Sequence, residues 1–123
     1  MPNNEICPYI PKIIIKPWGY EKIVAHTDVY VGKILHINPT QRLSKQYHKI
    51  KDETIYVLSG TLHVYIGEDE DLHTLIEGQS LRVMPNIIHR FEAPNNYEPT
   101  VLFEVSTPEL NDIVRLKDDY ERA

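Results

Sequence analysis

Apolar positions recur at every second residue along almost the whole chain, in short runs closed by turns. VYVGKILHINP alternates and stops at Asn38-Pro39, and ETIYVLSG alternates and stops at Gly60. A period of two puts successive side chains on opposite faces, so each run predicts a strand with one face buried. IIIKPWGYEKIVAH holds two β-branched runs on either side of a Pro-Trp-Gly turn. RLSKQYH and ETIYVLSG are two strands joined by the lysine-rich KIKD. TLHVYIG and LHTLIEG predict a hairpin around Glu68-Asp69-Glu70-Asp71, and SLRVMP, HRFEAP and TVLFEVSTP follow. Only the tail, PELNDIVRLKDDYERA, has helical spacing, with Ile113, Leu116 and Tyr120 at i, i+3 and i+7. It predicts a short C-terminal helix. Turn signals every roughly 8–12 residues point to an all-β sandwich or barrel. Residues 1–12, polar and Pro-rich, predict an arm or edge strand, and residues 13–123 one domain.

Composition narrows the function classes. A chain of 123 residues, 41% hydrophobic and 25% charged, is long enough for one buried core and too short for two domains. Its net charge of −5 gives no reason to expect nucleic acid or an anionic membrane as partner. A local Arg/Lys cluster could still hold an anionic small molecule. Cys7 is alone, so no internal disulfide forms, which fits a reducing compartment. It also has no local base, so nucleophilic catalysis is not expected. No apolar run reaches transmembrane length, and MPNNEICPYIPK lacks a signal-peptide layout; a cytoplasmic location is expected. The Ile-rich segment 13–15 beside the Pro-rich arm suits strand exchange between two copies, and a homodimer is expected. GEDED lacks the spaced oxygens of an EF-hand loop and reads as a solvated hairpin tip.

The chemistry concentrates in SKQYHKIKDETIYVLSG. Gln46 and His48 are two apart and share one strand face. Glu53 lies at an odd offset, but a reversal at KIKD would bring it beside His48 on a neighbouring strand. His89 follows the turn at Pro85-Asn86, and the four residues can converge only inside a sandwich or barrel. Imidazole nitrogen with carboxylate oxygen suits Zn, Mn, Fe, Co or Ni. The alternative is coincidence, since a small β domain with six His places some pair near an acid by chance.

These positions resemble the two motifs of the cupins, G(X)5HXH(X)4E(X)6G and G(X)5PXG(X)2H(X)3N. Gln46 stands at the first His, with His48, Glu53 and Gly60 in place and Thr40 at the opening Gly. Gly78 and His89 match the second motif; Met84, Asn86 and Ala93 replace its Pro, Gly and Asn. Asn86 is the residue after Gly that best tolerates positive φ. The resemblance implies a single cupin-type antiparallel β-sandwich barrel. KPWGYEKI, RLSKQYH, DETIYVLSGTLHV, GQSLRVMPNIIHRFEAP and DIVRLKDDYER are further similar to type II mannose-6-phosphate isomerases. These also form the C-terminal domain of bifunctional mannose-1-phosphate guanylyltransferases.

That resemblance implies a divalent metal held by Gln46, His48, Glu53 and His89, in a family that uses Gln-x-His. It implies aldose–ketose isomerisation of a sugar phosphate through an enediolate, with a base carrying the proton between C2 and C1. Lys45, Arg90 and Glu104 are candidates for that base by location. Glu104 sits in an otherwise apolar strand and is expected outward in solvent, with a cavity-lining position as the alternative. Arg42, Lys45, Arg90 and Arg115 are candidates for holding phosphate. Two further His usual after the His48 position are Lys49 and Ile50 here. Two other classes stay open. One is another metal-dependent cupin enzyme, an oxygenase, lyase or epimerase. The other is a non-catalytic sugar-binding or sensing cupin. His26, His36, His63 and His73 are expected to be structural or solvent-facing, and Trp18 a core or subunit-contact anchor.

Overall fold

The computed structural model describes residues 6–122, so residues 1–5 of the expected arm lie outside the described residues. The described chain forms strands β1 (Lys12–Lys16), β2 (Gly19–His26), β3 (Val31–Ile37), β4 (Lys45–Tyr47), β5 (Glu53–Ser59) and β6 (Leu62–Ile66). These are followed by β7 (Asp71–Leu75), β8 (Ser80–Val83), β9 (His89–Glu92), β10 (Thr100–Ser106) and β11 (Val114–Lys117). They make two antiparallel sheets, ordered β1-β2-β3-β10-β5-β8 and β11-β4-β9-β6-β7.

Period-two burial fills the space between the sheets. On β3 the inward side chains are Val31, Lys33, Leu35 and Ile37, and on β10 they are Thr100, Leu102, Glu104 and Ser106. Leu35, Leu102 and Val57 form one apolar row, meeting Leu62, Val64 and Phe91 from the other sheet. The next row carries Lys33 opposite Glu104, and Glu53 opens β5 opposite Ser106. The interior is therefore apolar along one stretch and charged along another. Trp18, 2% exposed, sits in the core.

Gly19 enters β2 directly after Trp18 at φ 152°. A Cβ built there would lie 1.9 Å from the His36 carbonyl oxygen, a backbone atom that cannot swing aside. Gly19→Ala must therefore part β2 from β3. We expect it to cost about 3 kcal/mol, read as a clear fall in Tm by circular dichroism; an unchanged Tm would contradict this packing.

The expected C-terminal helix is not present. Residues 114–117 form β11 on the free edge of β4, and no helix occurs among the described residues. Ile113, Leu116 and Tyr120 have helical spacing, but so short a segment nucleates a helix poorly. Pairing with β4 satisfies its backbone groups and covers an edge as well. Consequently, among the described residues no helix is long and apolar enough to cross a membrane.

Candidate metal centre

Four ligand-type residues arrive from three strands and their ends. Gln46 on β4 stands directly opposite His89 on β9, so both side chains project from the same face. His48 follows β4 by one residue. The loop after it crosses to the other sheet, so Glu53 faces His48 across the sandwich instead of neighbouring it in one sheet. Pro85-Asn86 forms the tight turn before β9, with Asn86 at φ 67° and the Ile87 N–H reaching the Met84 carbonyl. The Asn86 N–H donates to the His48 carbonyl at 2.7 Å, joining the two ligand loops.

Glu53 Oε1 lies 3.2 Å from His48 Nε2 and 3.3 Å from His89 Nε2, and one ligand atom from each residue falls within 4.8 Å of the others. All three side chains are buried. Both rings are turned by backbone carbonyls: Nδ1 of His48 meets the Asp112 oxygen, and Nδ1 of His89 meets the Ile87 oxygen at 2.9 Å. With Nδ1–H donating, a neutral ring directs the Nε2 lone pair at Glu53. Two lone pairs against a carboxylate oxygen repel unless a proton or cation sits among them. His89 Nε2 is buried with no hydrogen-bond partner, as a metal ligand would be. Gln46 adds an amide oxygen oriented by the Ser44 hydroxyl at 2.7 Å. The donor set of two imidazoles, a carboxylate and an amide oxygen fits a first-row divalent ion.

A cavity of about 310 Å³ opens beside this centre, bounded by Gln46, His48, Glu53 and Glu104, among others. Glu104, expected in solvent, points inward instead and is 2% exposed. The reason is phase: it shares the inward face of β10 with Leu102 and Thr100, and buried ammonium groups compensate its charge. Lys51 Nζ lies 3.0 Å from Glu104 Oε2 and 3.4 Å from Glu53 Oε2, and Lys33 Nζ lies 3.7 Å from Glu104 and 3.1 Å from Glu21. Burial first, then the neighbouring Glu53 charge, pushes the Glu104 carboxyl up to about 7. Burial alone would also raise Glu53, but hydrogen bonds from His48 and His89, donated when Nε2 carries a proton, and the Lys51 ammonium hold it well below the usual carboxylate range. Burial works against the Lys51 ammonium, yet Glu104 and Glu53 outweigh it and raise its pKa.

The other two base candidates face away from the cavity. Lys45 alternates with Gln46, and its Nζ donates to the Glu68 carbonyl at 3.1 Å. Arg90 alternates with His89, and its guanidinium binds the Leu43 carbonyl and Asp119. Arg42 pairs with Asp119 on the same outer side. Of the four phosphate candidates, only Arg115 lines the cavity. The remaining His lie elsewhere: His63 meets Glu92 at 3.5 Å, His36 stacks on Tyr20, and His26 and His73 are exposed.

Lys51 and Lys33 were not singled out from sequence, although each carries a signal. Lys51 lies two residues before Glu53, and Lys33 is in phase with Val31, Leu35 and Ile37. Asp112 was also missed. Its carboxylate accepts the N–H groups of Lys49, Ile50 and Lys51 at 3.1, 2.7 and 2.9 Å, bracing the loop that carries His48. Lys49 and Ile50 themselves are exposed and outside the cavity lining, so the departure from the usual His pair removes no group from this centre.

The C-terminal strap, residues 107–122, closes one side of the cavity through Leu110, Asn111, Ile113, Arg115 and Arg122. Its end is held by Asp118, which accepts from the Arg122 guanidinium and backbone N–H and is lowered from 3.8 to about 2, chiefly by that guanidinium. A depressed carboxylate contributes stability in full above its unfolded value. That contribution fades as pH falls from 3.8 towards about 2. We expect amide protection factors in the strap to drop across this window, ahead of those in β3 and β10. In Arg122→Met the extra acid sensitivity should disappear; an identical acid profile in that variant would count against the tether.

Two sheets with Greek-key crossings, a buried His/Glu cluster and a cavity at its side define a cupin. An RmlC-like cupin from Shewanella frigidimarina aligns with a TM-score of 0.69 at 17% identity, covering 83% of this chain and 87% of that one. The chain belongs to the mannose-6-phosphate isomerase C-terminal family, whose pattern matches residues 8–118. It is 33% identical over 113 residues to a mannose-1-phosphate guanylyltransferase of Escherichia coli, covering 89% of this chain and 23% of that protein. It is 29% identical over 107 residues to the mannose-1-phosphate guanylyltransferase RfbM of Salmonella typhimurium, covering 85% and 22%. The chain thus spans about a quarter of the length of these curated relatives.

Proposed function

We propose that the protein is a metal-dependent aldose–ketose isomerase acting on a sugar phosphate of the mannose 6-phosphate type. The observation that carries this is Glu104, a buried carboxyl beside the ligand cluster and facing the same cavity. Its Oε2 has ammonium groups nearby but no well-directed hydrogen bond, so a lone pair stays available to take a proton. A carboxyl near 7 can both accept and return a proton at neutral pH.

His48, Glu53, His89 and Gln46 would hold the ion, which when bound acts as a Lewis acid on a carbonyl oxygen and acidifies the neighbouring C–H. Glu104 Oε2 would take the proton from C2 and deliver it to C1, while the O2 hydroxyl proton passes to O1, so that the carbonyl moves from C1 to C2. Lys51 keeps Glu53 and Glu104 from repelling each other and holds both carboxylates in place. The walls from Leu35, Leu43 and Phe91 keep bulk water from the reacting carbons. Guanylyl transfer, named for the longer relatives, is not carried over to this shorter chain.

The deciding experiment is a coupled assay with mannose 6-phosphate, adding each divalent ion in turn to chelator-treated protein. Fructose 6-phosphate formation that depends on the ion is expected. Absence of turnover with every ion, in protein shown to bind one, would overturn the proposal.

A further inference from the structure

One carboxylate grips the loop that carries His48. The loop runs from His48 to Asp52, leaving β4 in one sheet and entering β5 in the other. The N–H groups of Lys49, Ile50 and Lys51 converge on the Asp112 carboxylate at 3.1, 2.7 and 2.9 Å. Three successive N–H groups around one anion make a nest, filled here from within the chain. The main chain of Asp112 reaches the same place by a second route, because its carbonyl accepts from His48 Nδ1. Register explains the meeting. Val114 on β11 opposes Tyr47 on β4, so the residues just before Val114 arrive beside those that follow Tyr47.

The grip reaches the centre at two points. His48 is held in the orientation that aims Nε2 at Glu53. Lys51, further along the loop, puts its ammonium between Glu53 and Glu104. On the strap side, Asp112 stands between Asn111 and Ile113, which line the cavity together with Leu110. This stretch is clamped again at its start. The Thr107 N–H donates to the Asp52 carbonyl and the Asp52 N–H to the Thr107 hydroxyl, both at 3.0 Å. Residues 107–113 are thus tied to the ligand loop near both ends while they form a wall of the cavity. Lifting this stretch would take away the acceptor of His48 Nδ1 and the anion of the nest together.

We infer that Asp112 is a positioning residue of the metal centre, through which ion binding and the seating of residues 107–113 stabilise each other. The acceptor on the far nitrogen of a ligand imidazole orients the ring for the ion. Coupling between two sites is reciprocal, so the ion in turn fixes a wall made by residues that are not its ligands. The inference rests on the reading of His48, Glu53 and His89 as ion ligands and is independent of the reaction catalysed.

Titration of the chelator-treated full chain with Co(II), followed by visible absorption and amide hydrogen exchange, tests it. In wild type the ion should raise protection of the 107–113 amides as well as of those beside the ligands. Asp112→Ala should raise Kd for Co(II) by about 10- to 100-fold and alter the d–d bands of the bound ion. It should also remove most of the ion-induced protection of 107–113. Asp112→Asn keeps an acceptor oxygen in the nest and should recover part of the affinity and of the spectrum. Asp118→Asn loosens only the far end of the strap and should keep wild-type affinity and bands. Wild-type affinity and bands in Asp112→Ala would overturn the inference, as would an equal loss in Asp118→Asn. Protection of 107–113 that is indifferent to the ion in wild type would also overturn it, and this arm decides alone if Asp112→Ala does not fold. Coupled ion binding without turnover of mannose 6-phosphate would sustain the inference and remove the isomerase reading. Ion-dependent turnover with unaltered affinity in Asp112→Ala would do the reverse.

Discussion

Glu53→Gln is expected to lower the affinity for divalent ions by at least about hundredfold, measured by titration with Zn or Co after chelator treatment. Glu53 supplies the only negative charge among the four ligand-type residues, and its Oε1 sits between the two Nε2 atoms. The amide keeps the shape and removes the charge, so the loss reports electrostatics and not packing. There is a second consequence. Lys51 loses one of its two counter-charges, and breaking one side of a buried ion pair costs about 3–5 kcal/mol, partly offset here because Glu104 remains at 3.0 Å. Metal-free Glu53→Gln should therefore melt below wild type. A variant that binds the ion as tightly as wild type would remove Glu53 from the centre.

The second large effect concerns Glu104. Glu104→Gln should cut isomerase kcat by about 10²–10⁴-fold while changing ion affinity far less than Glu53→Gln does. The two carboxylates are both within reach of Lys51, yet only Glu53 touches the imidazoles, so the two substitutions separate ion holding from proton transfer. Solvent-proton exchange at C2 of bound sugar phosphate gives an independent reading, since it should vanish with the base. Retained exchange in Glu104→Gln would assign the proton to another group.

The difference between these two residues also shows what sequence patterning could and could not reach. The period of two, the hairpin tip and the turn at Pro85-Asn86 were legible because local sterics dictate them. Asn86 duly takes φ 67° where a Gly is usual, and Thr40 takes φ 68° at the other replaced Gly. Ligand spacing was legible for the same reason, since Gln46 and His48 share a face whatever surrounds them. The same alternation puts Lys33 in phase with Leu35. An isolated charge in such a phase reads as an anomaly until its partners, distant in sequence, are known. Glu104 was assigned to solvent on the cost of burying an unpaired carboxylate. That cost is real, but Lys33 and Lys51, remote in sequence, remove its premise.

The tail illustrates the opposite failure. Its i, i+3, i+7 spacing is a local signal, and the competing claim, the unpaired edge of β4, lies about seventy residues away. Alternation, turn chemistry and the shared face of Gln46 and His48 were thus determined by sequence alone, because each is settled within a few residues of backbone. Which sheet Glu53 joins, which lysines compensate the buried acids, and which arginines line the cavity were decided only by tertiary structure. Those choices depend on Coulomb energies between groups far apart in the chain, and only the closed sandwich brings such groups within a few ångströms.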